Sequence, residues 1–324
     1  MTPKIEARNQ PIKVGLVVNA NQVVIGSSSG IQILSNKGND LKLSSKDSYK
    51  FLKSKEFIMV DNEKIKAKKI IITPIKDNNL IAVNGNKYQG YIQILSTAKG
   101  LTVINHVKLN NYLASVVGSE INPNWPMEVL KAQAVVARTY ALRNLKSHLS
   151  KGYNLSATVT SQAYKGVKFQ APATIKAVKE TKGEVITYQG RLISAVYHSS
   201  SGGQTARGAT IWKSNTPYLQ SVTSTDNLSP HYQWKREYSK RELEKLLVES
   251  NINVFEMKKI YLKNLGPSNR PEQVVVVGAN NRYIVDSSEF RFLLGLRSTK
   301  FTIETKIKNR NRLNSNSKEL VYVF

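Results

Sequence analysis

The 324-residue chain carries 48 Lys+Arg against 22 Asp+Glu, a formal charge of +26, and is long enough to bury a sizeable core and to divide into two or three domains. It has no cysteine, which excludes disulfides, thiolate zinc sites and cysteine nucleophiles. The charge favours a polyanionic partner, whether nucleic acid, an anionic membrane surface or an acidic cell-wall polymer, although solvated lysine-rich faces give the same total.

The first residues, MTPKIEARNQPIKVGLVVNANQ, hold no uninterrupted apolar segment followed by a small-residue cleavage site, and no later run is long enough to span a bilayer. If the protein acts outside the cytoplasm, a leader is expected to have been removed ahead of this numbering. From Ile12 to Val107 the chain is a series of short β-branched runs divided by Gly, Asn, Ser and Lys, among them IKVGLVV, QVVIGS, KKIIITPI and LTVINHV. This predicts a β-rich N-terminal region over 1–107, interrupted by a helical or turn-like SSKDSYKFLKSK. Residues 108–324 are expected to form a mixed core, so the fold class is α+β.

The first long helices come with NNYLASVVGSEINPNWPMEVLKAQAVVARTY, residues 110–140, where Asn-Pro-Asn-Trp-Pro breaks two helical patterns. On the first helix Leu113, Val116 and Val117 form an apolar stripe, and Glu120 continues it, so its carboxylate faces the protein. Burial among aliphatic groups and the negative end of the helix dipole both favour the protonated form, the state required of a general acid, while the positive end of the next helix opposes them. A buried glutamate paired with Arg138 or Arg143 of the second helix accounts for the same pattern. On that helix Ala132, Ala134, Ala137 and Ala141 permit close approach of another element or simply favour helix. Trp125 offers a ring on which a sugar face can stack, or the edge of a core.

Farther on, APATIKAVKETKG reads as a helix opening at Pro172 and ending near Gly183, and EVITYQGRLISAVYHSS as a hairpin turning at Gln189-Gly190. A small-residue loop, SSSGGQT, follows. Ser239 three residues before Glu242 is a capping box opening a surface helix. The strands EQVVVVGA and KFTIETKI flank the short helix SSEFRFLLG, and the basic KNRNRLNSNSK, 308–318, is expected to be a loop before ELVYVF.

The run LNNYLASVVGSEINPNWPMEVLKAQAVVARTYAL resembles the signature of the stage II sporulation protein D and LytB amidase-enhancer family. The likeness extends through YQGYIQIL, SQAYKG, ETKGEVITYQGRLISAVYHSSSGGQT, PYLQSV and LGLRSTKFTI, from about residue 10 onward. It implies a peptidoglycan-directed protein of the cell envelope. Members of the sporulation branch are lytic transglycosylases acting on glycan strands stripped of stem peptides, and Glu120 matches their essential acid. There one carboxyl protonates the glycosidic oxygen between N-acetylmuramic acid and N-acetylglucosamine, then takes the proton of the muramoyl 6-hydroxyl, leaving an anhydromuramoyl end without a second carboxylate.

On the same likeness Gln162 and Tyr164 are expected to bind sugar hydroxyls, and Ser199, Ser200, Ser201, Gly202 and Gly203 to offer hydroxyls and backbone amides to substrate. Turn formation accounts for the same residue types. His198 either orients a group or faces the core. Some relatives place a Cys/His zinc site ahead of the segment matched by SQAYKG; LSATVTSQAYKG has neither residue type, so neither a metal nor another cofactor is expected. Relatives usually continue past the strand matched by ELVYVF into a Gly/His-rich segment, so the C-terminal end is expected to be incomplete. The family's other name implies an alternative, a non-catalytic peptidoglycan-binding enhancer of an N-acetylmuramoyl-L-alanine amidase. No nucleic-acid partner is expected, because the basic residues are scattered outside any recognised motif.

Overall fold

The computed structural model describes residues 11–35, 40–54, 57–61, 63–77, 79–213, 215–311 and 314–324. Within them the chain divides into two compact units, one ending at Tyr197 and the other running from His198 to Phe324. The fold is α+β, with a β-rich N-terminal region and a mixed core. The division lies at Tyr197/His198, whereas the change from strand to helix patterning suggests a boundary near 107. Strands and helices before Tyr197 share a single apolar cluster, in which Ile12, Ile72 and Val103 pack with Leu113, Val117, Leu130 and Val178. Neither half of that cluster is buried without the other, so periodicity changes where the domain does not.

Two large sheets make up most of the β part of the first unit among its described residues. One runs in the order Leu155–Ser156, Ile12–Ala20, Gly100–Val107, Tyr91–Thr97, Lys69–Pro74, Ile31–Ser35, Leu41–Leu43. Its neighbours are antiparallel except for Ile12–Ala20 against Leu155–Ser156, which is parallel. Gly100–Val107 is buried along its whole length, as a central strand covered on both faces must be. The second sheet runs Asn86–Tyr88, Ile81–Val83, Gln22–Gly26, Ser48–Lys53, Ile58–Val60, Glu63–Ile65. Part of SSKDSYKFLKSK is therefore strand, not helix or turn: Tyr49 and Phe51 alternate inward while Ser48 and Lys50 face water. Its last residue, Lys55, and the following Glu56 lie outside the described residues, as does the amino-terminal stretch to Gln10.

Three α-helices occur among the described residues of the first unit: α1 (Leu109–Glu120), α2 (Met127–Arg143) and α3 (Pro172–Glu180). The turn between α1 and α2 closes with Asn124 and Trp125 donating backbone N–H to the side-chain and main-chain oxygens of Asn122. Ala134, Ala137 and Ala141 of α2 are fully buried, consistent with close helix packing, while Ala132 faces solvent. The hairpin at Gln189-Gly190 forms with both turn residues at positive φ, 48° and 73°, as a two-residue turn of this kind needs. Its paired strands are only Thr187–Tyr188 and Arg191–Leu192.

The second unit contains α4 (Gly208–Trp212), α5 (Lys240–Glu249), α6 (Ser287–Leu293) and two three-stranded sheets. The capping box is present: Ser239 Oγ accepts from the Glu242 backbone N–H, and the Glu242 carboxylate accepts from the Ser239 N–H. Residues 308–318, expected to be a loop, instead belong largely to the hairpin of Glu304–Asn311 and Asn314–Val323, with Arg312 and Leu313 outside the described residues. The reason is tertiary. Val321–Val323 also pairs with Glu237–Ser239, and that anchored strand is a template on which a polar partner can add through its backbone alone.

Candidate functional site

Glu120 is the last residue of α1, half-buried, and follows the inward stripe of Leu113, Val116 and Val117. Its Oε1 accepts the backbone N–H of Ala163 at 2.8 Å. The segment that supplies this amide is held along α1 at several points. Ser115 Oγ donates to the Gly166 carbonyl at 2.8 Å, and Gln170 Nε2 donates to the Asn111 carbonyl at 3.0 Å. Gly118 permits the closest approach, since a Cβ there would lie 2.0 Å from the Phe169 carbonyl oxygen.

A chain of side-chain hydrogen bonds leads to the same carboxylate. The Tyr112 hydroxyl donates to Gln162 Oε1 at 3.1 Å and Gln162 Nε2 donates to the Tyr197 hydroxyl oxygen at 3.3 Å, and the Tyr197 hydroxyl lies close enough to Glu120 to feel its charge. Burial pushes the Tyr112 and Tyr197 hydroxyls well above the usual phenol range, and the neighbouring Glu120 charge adds to the shift in both. Both therefore stay neutral donors. Tyr140 is shifted upward by burial in the same way, against the effect of its hydrogen bond with Ser161.

Neither arginine offered by the sequence pairs with Glu120. Arg138 is 2% exposed and donates to the carbonyls of Val178 and Glu184 and to Thr181 Oγ1, at 3.1, 3.1 and 3.3 Å. It caps the carboxyl end of α3. Desolvation brings its guanidinium down to about 10, still far above neutrality. Arg143 donates to the Leu192 carbonyl at 2.6 Å. No ion pair of Glu120 occurs among the described residues.

The other expected site residues fall into three situations. Trp125, 51% exposed, lies on the turn that leaves α1, five positions beyond Glu120. Gln162, 1% exposed, stands behind Glu120 as the middle of the tyrosine relay. Tyr164, 2% exposed, packs between Tyr88 and Tyr112 and donates to Asn105 Oδ1 at 2.7 Å. Gln162 and Tyr164 thus build the wall of this group from inside.

Ser199–Gly203 lies in the second unit, where exposed His198 precedes it. The loop wraps a carboxylate that sequence reading did not single out. Asp226 accepts the Ser200 hydroxyl at 2.7 Å, the Gly203 N–H at 2.8 Å, the Gly202 N–H at 3.1 Å and the Ser201 N–H. Desolvation would push this carboxyl up, but those four donors outweigh it and hold the group well below the usual carboxylate range. The amides expected to face substrate are engaged by the protein's own acid. Tyr112, Tyr140, Tyr197 and Asp226 gave no signal in the sequence beyond their residue types, because each meets its partners across long chain separations. No cluster of potential metal ligands occurs among the described residues, and none of their helices is long and apolar enough to cross a membrane.

Residues 97–188, from the end of one central strand to the first strand of the hairpin, match the family model described as SpoIID, stage II sporulation protein. An uncharacterized protein of Brachyspira hyodysenteriae is 28% identical over 231 residues, 70% of this chain and 61% of that protein. The amidase enhancer of Bacillus subtilis is 30% identical over 226 residues, 68% of this chain and 31% of its own. Stage II sporulation protein D of Bacillus subtilis is 31% identical over 160 residues, 44% and 47% of the two chains. The chain thus spans between about a third and three fifths of the length of these relatives.

Proposed function

From a chain that carries a SpoIID family domain over residues 97–188 and is similar to both stage II sporulation protein D and an amidase enhancer, we propose a peptidoglycan-binding protein of the cell envelope that enhances an N-acetylmuramoyl-L-alanine amidase. The likeness to the amidase enhancer over 68% of this chain carries this reading. The charge of +26 supports it, because peptidoglycan bears carboxylates and a strongly basic protein is drawn to such a polymer.

One observation favours a second reading, lytic transglycosylase activity through Glu120. Among the described residues its carboxylate accepts one backbone amide beside the Tyr197 hydroxyl and pairs with no cation, so no guanidinium stands between it and a ligand. Trp125 would give a sugar ring an apolar face near it, and Gln162 and Tyr164 would hold the wall behind it. The experiment compares the chain with Glu120→Gln on peptide-free glycan strands and on intact peptidoglycan with a purified amidase. The enhancer reading expects strand binding and faster release of stem peptides with both proteins, and no new chain ends. Anhydromuramoyl ends made by the unaltered chain and absent with Glu120→Gln establish cleavage instead. A chain that neither binds strands nor accelerates the amidase overturns both.

A further inference from the structure

We propose that a cleft in the second unit binds an acidic amino-sugar residue by its carboxylate, with Arg297 and Lys300 as the cationic contacts; this rests on the peptidoglycan-binding reading above. The cleft has a volume of about 270 Å³, below the roughly 300–1,000 Å³ of pockets for drug-sized ligands, so it suits a single ring. Its lining includes the two cations, Ser199, Ser201, Ser298 and Trp234, and no aspartate or glutamate.

Three observations point to an anionic, hydroxylated ligand. Arg297 forms no ion pair among the described residues; its guanidinium reaches only His231 Nδ1, at 3.4 Å. Lys300 Nζ likewise donates to a carbonyl, that of Gly202, and not to a carboxylate. Asp226, the carboxylate held by the same loop, accepts the Ser200 hydroxyl and the three loop amides and forms an ion pair with neither cation among the described residues. Two cations without an ion-pair partner at one cleft suit a carboxylate, which a guanidinium can take through two parallel N–H donors. Ser201 adds an independent sign. Its residue is 3% exposed, its Oγ is buried without a hydrogen-bond partner, and it lines the cleft. A buried hydroxyl left unpaired is costly, and a turn of the Ser201 side chain toward the cleft would let a sugar hydroxyl satisfy it. Trp234 supplies the apolar wall against which a ring can lie.

N-Acetylmuramic acid and N-acetylglucosamine isolate the carboxylate, since the former is the latter carrying a lactyl ether. Calorimetric titration of the full chain should show N-acetylmuramic acid binding about tenfold more tightly than N-acetylglucosamine, a preference abolished in Arg297→Gln and reduced in Ser201→Ala. Both variants should retain the circular dichroism of the parent chain. Equal binding of the two sugars, or a preference that survives Arg297→Gln in a folded variant, overturns the assignment. Equally tight binding of N-acetylglucosamine 6-phosphate overturns its carboxylate specificity. Strand binding that persists while these monosaccharides fail sinks this inference alone; loss of all strand binding by the unaltered chain sinks the peptidoglycan reading with it.

Discussion

Around Glu120, the decisive feature is what donates to it. A backbone amide, with the Tyr197 phenol nearby, leaves the carboxylate without an ion-pair partner among the described residues, and the phenol is fixed in turn by Gln162 and Tyr112. Tyr197→Phe removes the last donor of that relay and leaves Gln162 Nε2 facing an aromatic edge. We expect a stability loss of about 1–2 kcal/mol by chemical denaturation. If Glu120 cleaves glycan, the same variant should shift the pH dependence of anhydro-end formation; a purely structural tyrosine would change stability and leave the profile in place. The inward direction of Glu120 was legible in the spacing of Leu113, Val116 and Val117. Its partners were not, because Ala163 and Tyr197 arrive from 43 and 77 positions away along the chain.

A second buried group shows how pH acts on the sheet. His106 stacks on Tyr91 with ring centroids 4.4 Å apart and hydrogen-bonds Gln93 at 3.1 Å. Desolvation, reinforced by the positive charges of Lys13 and Lys69, lowers it to about 4. An unfolded histidine takes a proton near 6.5, so between pH 6.5 and 4 the unfolded state binds more protons than the folded one, and stability falls as pH falls through that window. The loss is on the order of 2 kcal/mol after allowance for solvent screening. His106→Gln should flatten that part of the stability profile measured by urea denaturation at a series of pH values. An unchanged slope would show that His106 is not its source.

Among the elements, α1 and the 163–170 segment depend on each other. The helix itself was readable from its apolar stripe and the Asn-Pro-Asn-Trp-Pro break; the segment was readable only as turn-rich. What joins them is Gly118, where the helix surface is low enough for the Phe169 carbonyl to come against it. Gly118→Ala improves helix propensity by about 1 kcal/mol, yet its Cβ would meet a backbone oxygen at 2.0 Å. Backbone cannot move aside as a side-chain tip does, so the variant should lose about 1–3 kcal/mol net, occasionally more. Amide exchange of Ala163 should quicken as its bond to Glu120 loosens; a stabilised variant with unchanged Ala163 exchange would refute the close approach. The same distinction separates the elements that patterning found from those it missed. Ser239 and Glu242 specify a helix start by local chemistry, whereas Ser48–Lys53 and the 304–323 hairpin are strands because neighbouring strands offer them partners.

Over the whole molecule, the two units have separate apolar clusters. That of the second joins Leu243 and Leu247 of α5 to Val274, Val276, Phe290 and Phe324, and includes no residue before Trp234. A change of periodicity at 107 was visible in the sequence, but membership of a core is a property of contacts, and the contacts place the division ninety residues later. Phe290, fully buried, lies with its ring 6.2 Å from Phe301 and 5.9 Å from Phe324. Phe290→Ala opens a cavity that should cost about 3–5 kcal/mol. If each cluster stabilises its own unit, hydrogen exchange followed by mass spectrometry should show protection falling across 198–324 and holding across the described residues up to Tyr197. Equal loss in both would mean that the clusters unfold as one cooperative structure. Independence has a functional consequence: Arg297 and Lys300 follow α6 in the second unit while Glu120 ends α1 in the first, so Phe290→Ala should weaken recognition of the acidic sugar and leave amide exchange at Ala163 unaltered.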